Sequence, residues 1–280
     1  MSNKRILYVF TRTPLHVGAG SSVGAIDQPI IRERHTGFPV IPGSSLKGVI
    51  RDTASRDGNL DEDHVDRIFG TQDDAGRVSL GEAKILTFPV RSAKGSFAFV
   101  SCPLGLDRFL RENGSLQGLK VPPEPQDMTC LAGDIVTISR NGQTGVVLEE
   151  YRFNRPPGEA GRFPTDWESA LLNLLDDPVW HAGRGRFVLV SNGDFSHFVK
   201  TACEVSQHVA IDPLKGTAKG GALFNLEAVP AEALFFAPVN ALARASGELD
   251  KLAELFNRKP LLQFGGDSTT GLGFCTVKLG

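Results

Sequence analysis

The sequence has few of the features that define several common protein classes. Its four cysteines form no Cys-x-x-Cys pair and lie far apart, at Cys102, Cys130, Cys203 and Cys275. This spacing argues against a zinc site or a disulfide framework and indicates reduced thiols in a cytoplasmic protein. No apolar run reaches the length of a membrane span, and the run after the basic N-terminal residues is too short for a signal peptide. We therefore expect a cytoplasmic chain with no membrane partner.

The sequence also lacks an excess of charge of either sign. Thirty basic residues stand against 32 acidic residues, which gives a formal net charge of -2. Any surface that binds an anion must therefore be local. The 280 residues, of which 41% are hydrophobic, are enough to bury a core. Thirty-one glycines and 17 prolines are spread along the chain, which indicates many turns between short elements.

Common catalytic signatures are missing as well. The sequence contains no Walker A motif, no GxSxG, no HExxH and no EF-hand loop. The glycine-rich stretch "FGGDSTTGLGF" lacks GxGxxG spacing and precedes an expected strand, which disfavours a dinucleotide fold. Any function must therefore come from residues that the fold brings together.

The patterns that are present predict an α+β fold, with strands at both ends of the chain and helices between them. "RILYVF" is rich in β-branched and aromatic residues, which favours a strand at the start of the chain. Residues 57–80 are polar and acid-rich, and we expect an exposed insertion there. Residues 203–229 predict two strands around a long exposed tip at 212–221.

The stretch "PGSSLKG" predicts the start of a helix, because apolar residues then recur at helical spacing, at Leu46, Val49, Ile50 and Thr53. Ser44 or Ser45 is the expected N-cap. Free backbone amides at a helix start attract anions, and Lys47 with Arg51 on another face would extend such a site along a phosphodiester. The alternative is an ordinary capped surface helix with solvated cations.

Two groups near the N-terminus can carry acid–base chemistry. Asp27 lies in a glycine-flanked loop, and His16 follows the first strand. A carboxylate with a histidine can move protons or hold a divalent ion near a phosphate. The alternative is that Asp27 is a turn residue and His16 is structural.

Two further features, the C-terminal glycine-rich stretch and the lysines of the long tip, each allow a functional and a purely structural interpretation. The glycines of "FGGDSTTGLGF", which include Gly265 and Gly266, allow the backbone to approach a ligand or another backbone closely, or they form a simple hairpin turn. For Lys215 and Lys219 in the long tip, one alternative is contact with a polyanion, and the other is that they only keep the exposed loop soluble.

Four stretches together resemble one family: "LHVGAGSSVGAIDQPIIRERHTGFPVIPGSSLKGVIRD", "ILTFPVRSAKGSFAFVSCPLGLDRF", "HVAIDPLKGTAKGGALFNLEAVPAEALFF" and "FGGDSTTGLGF". They resemble the backbone subunits of the Cmr complex, which are RAMP-superfamily proteins of type III-B CRISPR effectors. The first and last stretches are shared across related RAMP proteins, whereas "FPVRS" with "FAFVSCP" points to the Cmr members. The resemblance runs from about residue 6 to the C-terminus.

The resemblance implies a ferredoxin-like (RRM-like) palm over residues 1–280, with finger-like elements inserted at about 56–130 and a thumb β-hairpin at about 205–225. It implies that copies stack head to tail along a CRISPR guide RNA, together with other Cmr subunits. It also implies an endoribonuclease that cleaves the complementary target RNA with Mg2+ or Mn2+ where the thumb kinks the strand.

Residue roles follow by position in the matching motifs. The resemblance implies that Asp27, in "AIDQP", is needed for cleavage and ligates the metal, with His16 and Glu227 beside it. It implies guide or target contacts for a second set, comprising Lys47, Arg51, Ser44, Ser45, Arg34, Gly265, Gly266, Lys215 and Lys219. Over residues 32–56, five basic residues stand against two acidic ones, a local excess of +3 that suits phosphate contacts without base readout.

Other functions stay open at the level of sequence. The chain could be a structural guide-binding subunit without nuclease activity, or the equivalent subunit of a Csm complex. It could be a guide-processing endonuclease of the same superfamily that acts alone. A metabolic enzyme with a phosphate pocket is the most distant alternative.

Overall fold

The computed structural model describes residues 3–20, 22, 24–116, 118–211, 215, 218–242, 245 and 247–280. Within them the backbone forms fifteen strands, β1 to β15: Lys4–Thr11, Val40–Ile41, Val78–Leu80, Ala83–Ser92, Ser96–Ser101, Leu131–Ala132, Ile138–Arg140, Gln143–Leu148, Tyr151–Asn154, Phe187–Leu189, Glu204–Ile211, Ala218–Ala228, Leu234–Ala241, Leu261–Gln263 and Phe274–Leu279. The helices are α1 to α7: Gly43–Asp57, Glu62–Phe69, Pro103–Glu112, Thr165–Leu172, Pro178–His181, Asn192–Thr201 and Glu248–Arg258.

Thirteen of these strands form one large sheet with the main order β14-β15-β1-β13-β4-β5-β10-β6. β1 lies between β13 and β15 and pairs antiparallel with both. Along the main order only the β5–β10 pair is parallel. This mixed α/β architecture with a mostly antiparallel sheet agrees with the predicted α+β class; the ferredoxin-like arrangement of a palm stays a prediction.

Both faces of the large sheet are covered by a hydrophobic core. Alternate residues of β1 point to opposite faces, so Leu7 and Val9 pack into one core while Ile6 and Phe10 pack into the other. The helices α1, α2 and α7 cover the first face, and α3 and α4 cover the second. β1 is therefore apolar on both faces, which explains its unbroken hydrophobic run.

The segment at 57–80 is not the exposed insertion predicted from its acidic composition. It contains α2, whose Val65, Ile68 and Phe69 are buried, followed by β3. Asp61 caps this helix by accepting a hydrogen bond from the His64 amide. The acids of α2 lie on its outer face and at its start, where carboxylates are favourable. Composition alone therefore did not reveal that this segment forms an amphipathic helix.

The two strands predicted around residues 203–229 are present as β11 and β12, which form a separate two-stranded antiparallel sheet. Most of the tip, and the side chains of 218–222, lie outside the described residues. The range 56–130, predicted as a finger-like insertion, includes β4 and β5 in the middle of the large sheet. No helix within the described residues is long and apolar enough to cross a membrane.

The packing of α2 makes a stability prediction. Ile68→Ala removes a side chain with 0% exposure and should lower the free energy of unfolding by about 2–5 kcal/mol. Arg67→Ala, one position earlier on the exposed side, should change it by less than about 0.5 kcal/mol. Urea unfolding followed by circular dichroism measures both; equal small effects would mean that α2 is not part of the core.

Candidate functional site

His16 is held in one orientation by the chain that follows the hairpin. Leu15 forms an antiparallel bridge with Val229, and the His16 ring Nδ1 lies 2.6 Å from the Glu227 carbonyl oxygen. Because a carbonyl only accepts hydrogen bonds, Nδ1 carries the proton, and Nε2 of the neutral ring is left as an acceptor. His16 is 7% exposed and borders an open depression with Gly18, Gly20 and Gln28.

Two glycines of the C-terminal loop fit closely against His16. Gly265 has φ of 75°, and a Cβ there would lie 2.1 Å from the His16 carbonyl oxygen. The Gly266 amide donates to that same oxygen at 2.9 Å. In the structure both contact the backbone of His16, and their predicted contact with RNA stays a prediction. The glycine-rich turn therefore serves the close backbone approach that its composition allowed.

Asp27 is exposed and is fixed to the hairpin. Its Oδ2 accepts a hydrogen bond from the Asn225 amide at 2.8 Å. The neighbouring Gln28 forms a parallel bridge with Leu226, so the chain at Asp27 and Gln28 lies along β12. Among the described residues, Oδ1 of Asp27 has no hydrogen-bond partner. Residues 225–227 thus position both predicted groups: Asn225 holds Asp27, and Glu227 holds His16.

The Glu227 carboxylate does not face this surface. It is 4% exposed, and its Oε1 pairs with the Arg32 guanidinium at 2.5 Å while Oε2 accepts from the Ile30 amide at 3.0 Å. The sequence interpretation placed Glu227 after the hairpin and near the scissile phosphate. The residue lies within β12, and both carboxylate oxygens are already engaged, so its side chain acts in positioning.

Arg32 was counted only as one of several local cations, yet it is the partner that the buried glutamate requires. Its guanidinium also donates to the carbonyl oxygens of Gly37 and Val199, at 2.9 Å and 2.6 Å. It lies 3.3 Å from the Cys203 sulfur, and burial raises the pKa of that thiol to about 12, which keeps it neutral. A sequence signal existed: Arg32 follows buried Ile30 at the spacing of one strand face.

The helix start that was predicted as an anion site has no side-chain cap. α1 begins at Gly43 with Pro42 as N-cap, and no side chain caps it, so the prediction of Ser44 or Ser45 as N-cap was wrong. Ser44 is exposed, Ser45 is partly buried, and the first-turn amides are free of side-chain partners. Lys47 is exposed and forms no ion pair with a described residue.

The other predicted cations differ in their availability. The Arg51 guanidinium donates to the Gly70 carbonyl at 2.8 Å and to the Asp66 carboxylate at 2.9 Å, so it links α1 to α2. Its predicted contact with a phosphate stays a prediction and would use the remaining N–H groups. Arg34 is exposed and unpaired among the described residues, and Lys215 is exposed in the tip. The Lys219 side chain lies outside the described residues. None of the contacts above joins these cations to Asp27.

Comparison with known proteins identifies the family to which the chain belongs. The sequence profile of the RAMP superfamily matches residues 10–276. The chain belongs to the RAMP superfamily. The CRISPR system Cmr endoribonuclease Cmr4 of Pyrococcus furiosus is 35% identical over 286 residues, which cover 97% of this chain and 94% of that relative. The predicted membership among Cmr subunits is thereby confirmed.

Solved structures agree. Oligomeric Cmr4 from Pyrococcus furiosus superimposes with a TM-score of 0.77 at 32% identity, over 99% of this chain and 97% of that one. A chain in the cryo-EM structure of the type III-B Cmr-beta complex bound to cognate target RNA reaches a TM-score of 0.76 at 18% identity, over 99% and 96%. At that lower identity the likeness shows the fold alone.

The residues of this RAMP protein fit a metal only in a limited way. Among the described residues, no three His, Cys, Asp or Glu side chains lie close enough to hold an ion together. Asp27 offers one free carboxylate oxygen. Mg2+ is often bound by one or two carboxylates, with water and substrate phosphates as its other ligands. Asp27 alone could therefore supply one ligand to an ion whose other ligands are water or a bound phosphate, and the described residues form no all-protein cage.

The buried ion pair makes a prediction that stability measurements can check. Arg32→Met leaves the Glu227 charge buried without a partner and should cost about 3–5 kcal/mol in the free energy of unfolding. The double variant Arg32→Met/Glu227→Gln removes both charges and should recover part of that loss. Urea unfolding gives all three values.

The exposed Arg56–Asp52 pair provides the matched control, because its side chains are 80% and 56% exposed. Arg56→Met should cost no more than about 1 kcal/mol. If Arg32→Met is as mild as Arg56→Met, the pair does not anchor the site.

Proposed function

We propose that this chain is the backbone subunit of a Cmr complex and that it cleaves target RNA at the surface formed by His16 and Asp27. The relative from Pyrococcus furiosus is named as a Cmr endoribonuclease, and a similar fold occurs in a Cmr complex bound to target RNA. The observation that carries the proposal is the exposed Asp27 carboxylate, fixed by the Asn225 amide on the same strand segment whose Glu227 carbonyl orients His16.

The residues suit cleavage by the RNA's own 2'-hydroxyl. In that reaction the 2'-oxygen attacks the adjacent phosphorus in line with the departing 5'-oxygen, which takes a proton from water. The products are a 2',3'-cyclic phosphate and a free 5'-hydroxyl. His16 Nε2 is available to accept the hydroxyl proton, and the Asp27 carboxylate can orient the attacking group. A single exposed carboxylate provides little catalysis alone, so the geometry imposed on the RNA must supply much of the rate.

Mg2+ or Mn2+ is the proposed cofactor, with Asp27 Oδ1 as its protein ligand. When bound, such an ion stabilises negative charge on the phosphate oxygens and lowers the pKa of coordinated oxygen groups. The protein's part is to hold Asp27 through Asn225 and to leave one carboxylate oxygen toward the RNA.

RNA binding without base readout needs phosphate contacts, because pairing with the guide supplies the sequence recognition. The free amides at the start of α1, together with Lys47 and Arg34, are the proposed phosphate contacts. The β11–β12 hairpin, with Lys215 and Lys219, is the proposed thumb that kinks the paired strands. A head-to-tail stack of copies would repeat these contacts along the guide, and other Cmr subunits would complete the complex.

The alternatives differ in measurable ways. A purely structural subunit would bind guide and target without cleaving, and a guide-processing enzyme would act alone on repeat RNA. The whole-chain match to a Cmr subunit disfavours a Csm assignment or a metabolic enzyme. The four cysteines are free thiols, three of them buried, which is consistent with the proposed cytoplasmic location.

Asp27→Asn tests the proposal. The asparagine carboxamide oxygen can still accept the Asn225 hydrogen bond, so the loop should keep its shape while the charge is lost. In complexes assembled with guide RNA, we expect cleavage of the target to fall at least about 100-fold. Target affinity should stay within about twofold. Gel analysis of a labelled target, with Mg2+ and with EDTA, measures the rate.

Asp73→Asn is the control, since Asp73 is an exposed acid in a loop outside the site. It should cleave at the wild-type rate. Wild-type cleavage by Asp27→Asn would refute the role of Asp27, and absence of cleavage by the wild-type complex would favour the structural subunit.

A further inference from the structure

The depression beside His16 is open at the ring nitrogen that carries no proton. Its volume is about 240 Å³, and His16, Gly18, Gly20 and Gln28 border it. A Cβ at Gly18 would lie 2.9 Å from His16 Nε2, and a Cβ at Gly20 would meet no atom within 4 Å. The depression is smaller than the pockets of about 300–1,000 Å³ that hold drug-sized ligands. The two glycines therefore leave room beside Nε2 for one group of a larger molecule.

Gln28 is fixed by its backbone and free at its side chain. Its amide donates to the Asn225 carbonyl oxygen at 3.0 Å, and its own carbonyl oxygen accepts from the Glu227 amide at 3.0 Å. These bonds tie Gln28 to the strand segment whose Glu227 carbonyl orients His16. The Gln28 side chain is partly buried and makes no hydrogen bond with a described residue. Its carboxamide is therefore available both as a donor and as an acceptor.

The position of this carboxamide suits the charge that develops during the proposed cleavage. When the 2'-oxygen attacks, the phosphorus becomes five-coordinate and negative charge increases on its two non-bridging oxygens. His16 Nε2 carries no proton, so it can accept the hydroxyl proton but cannot donate to those oxygens. The Gln28 carboxamide offers N–H donors at the same depression. Donors that are already in place where charge develops lower the barrier of such a reaction.

We propose that Gln28 is a further catalytic residue, whose carboxamide donates a hydrogen bond to a non-bridging oxygen of the scissile phosphate. Gly18 keeps His16 Nε2 open to the 2'-hydroxyl in the same depression. The inference rests on the proposed function, because it assigns a role within the cleavage at His16 and Asp27. Gln28 gains and loses no proton, so its part is to stabilise charge while His16 takes the proton.

Gln28→Leu tests the donor, because it removes both hydrogen-bonding groups and keeps most of the side-chain volume. In complexes assembled with guide RNA and Mg2+, we expect the single-turnover cleavage rate to fall about 10- to 100-fold. Target affinity should stay within about twofold, because the hydrogen bond strengthens only as charge develops. Gln72→Leu, at an exposed glutamine in the loop after α2, is the control and should cleave at the wild-type rate.

A phosphorothioate target shows whether Gln28 acts on the phosphate itself. Sulfur accepts hydrogen bonds less well than oxygen, so one of the two stereoisomers at a cleavage position should slow the wild-type complex about 3- to 10-fold. The same stereoisomer should have little further effect on Gln28→Leu, which has already lost the donor. A slowing of equal size in both complexes would mean that the oxygen contacts a different group, and the inference would be wrong.

Gly18→Ala tests the opening at Nε2. Gly18 has no positive φ, so alanine can adopt its backbone conformation, but the added Cβ would crowd Nε2 or displace the ring. We expect cleavage to fall at least about 10-fold. Gly193→Ala, in α6, is the control, because a Cβ there would meet no atom closer than 3.7 Å. Equal cleavage rates for the two alanine variants would contradict the role of Gly18.

These outcomes differ from those that test the proposed function. If Asp27→Asn loses cleavage while Gln28→Leu cleaves like Gln72→Leu, the proposed function stands and the role of Gln28 is overturned. If the wild-type complex does not cleave, both are overturned.

Discussion

The buried ion pair between Arg32 and Glu227 is the interaction on which the candidate site depends. A carboxylate that is 4% exposed needs a partner, because an isolated charge away from water costs several kcal/mol. Arg32 provides that partner and also donates to two carbonyl oxygens. The pair holds the C-terminal end of β12 in place at Glu227. The backbone of residues 225–227 then orients His16 and Asp27 through hydrogen bonds. The positions of the two candidate side chains thus depend on a buried ion pair that lies away from the surface.

The candidate site presents few side chains that could take part in chemistry. His16 and Asp27 are each held by a backbone hydrogen bond, and Gly265 and Gly266 lie close to the His16 backbone. No cluster among the described residues forms a metal cage. Such a site has little catalytic power until a substrate is bent into place. A protein that selects its target through a base-paired guide gains from this, since an RNA strand that is not correctly seated would not be cut.

The sequence indicated the strands at both ends, the hairpin and the helix after Pro42. It also singled out His16 and Asp27, which the fold holds through residues 225–227. It could not reveal the Arg32–Glu227 pair, whose members are 195 residues apart and meet only through the fold. The acid-rich composition of residues 57–80 suggested an exposed insertion, because seven acids there outweighed the buried α2 residues Val65, Ile68 and Phe69. It also assumed a serine cap, whereas α1 starts directly after a proline that fixes the entry of the chain.

The most direct test of the account is a structure of the assembled complex with guide RNA and a target that carries 2'-deoxy substitutions at the cleavage positions. The account predicts that a target phosphate at each distorted step lies within about 3–5 Å of the Asp27 carboxylate, directly or through one metal ion, with His16 beside the 2'-position. A target strand that passes Asp27 at more than about 10 Å at every step, while cleavage of the unmodified RNA persists, would contradict it.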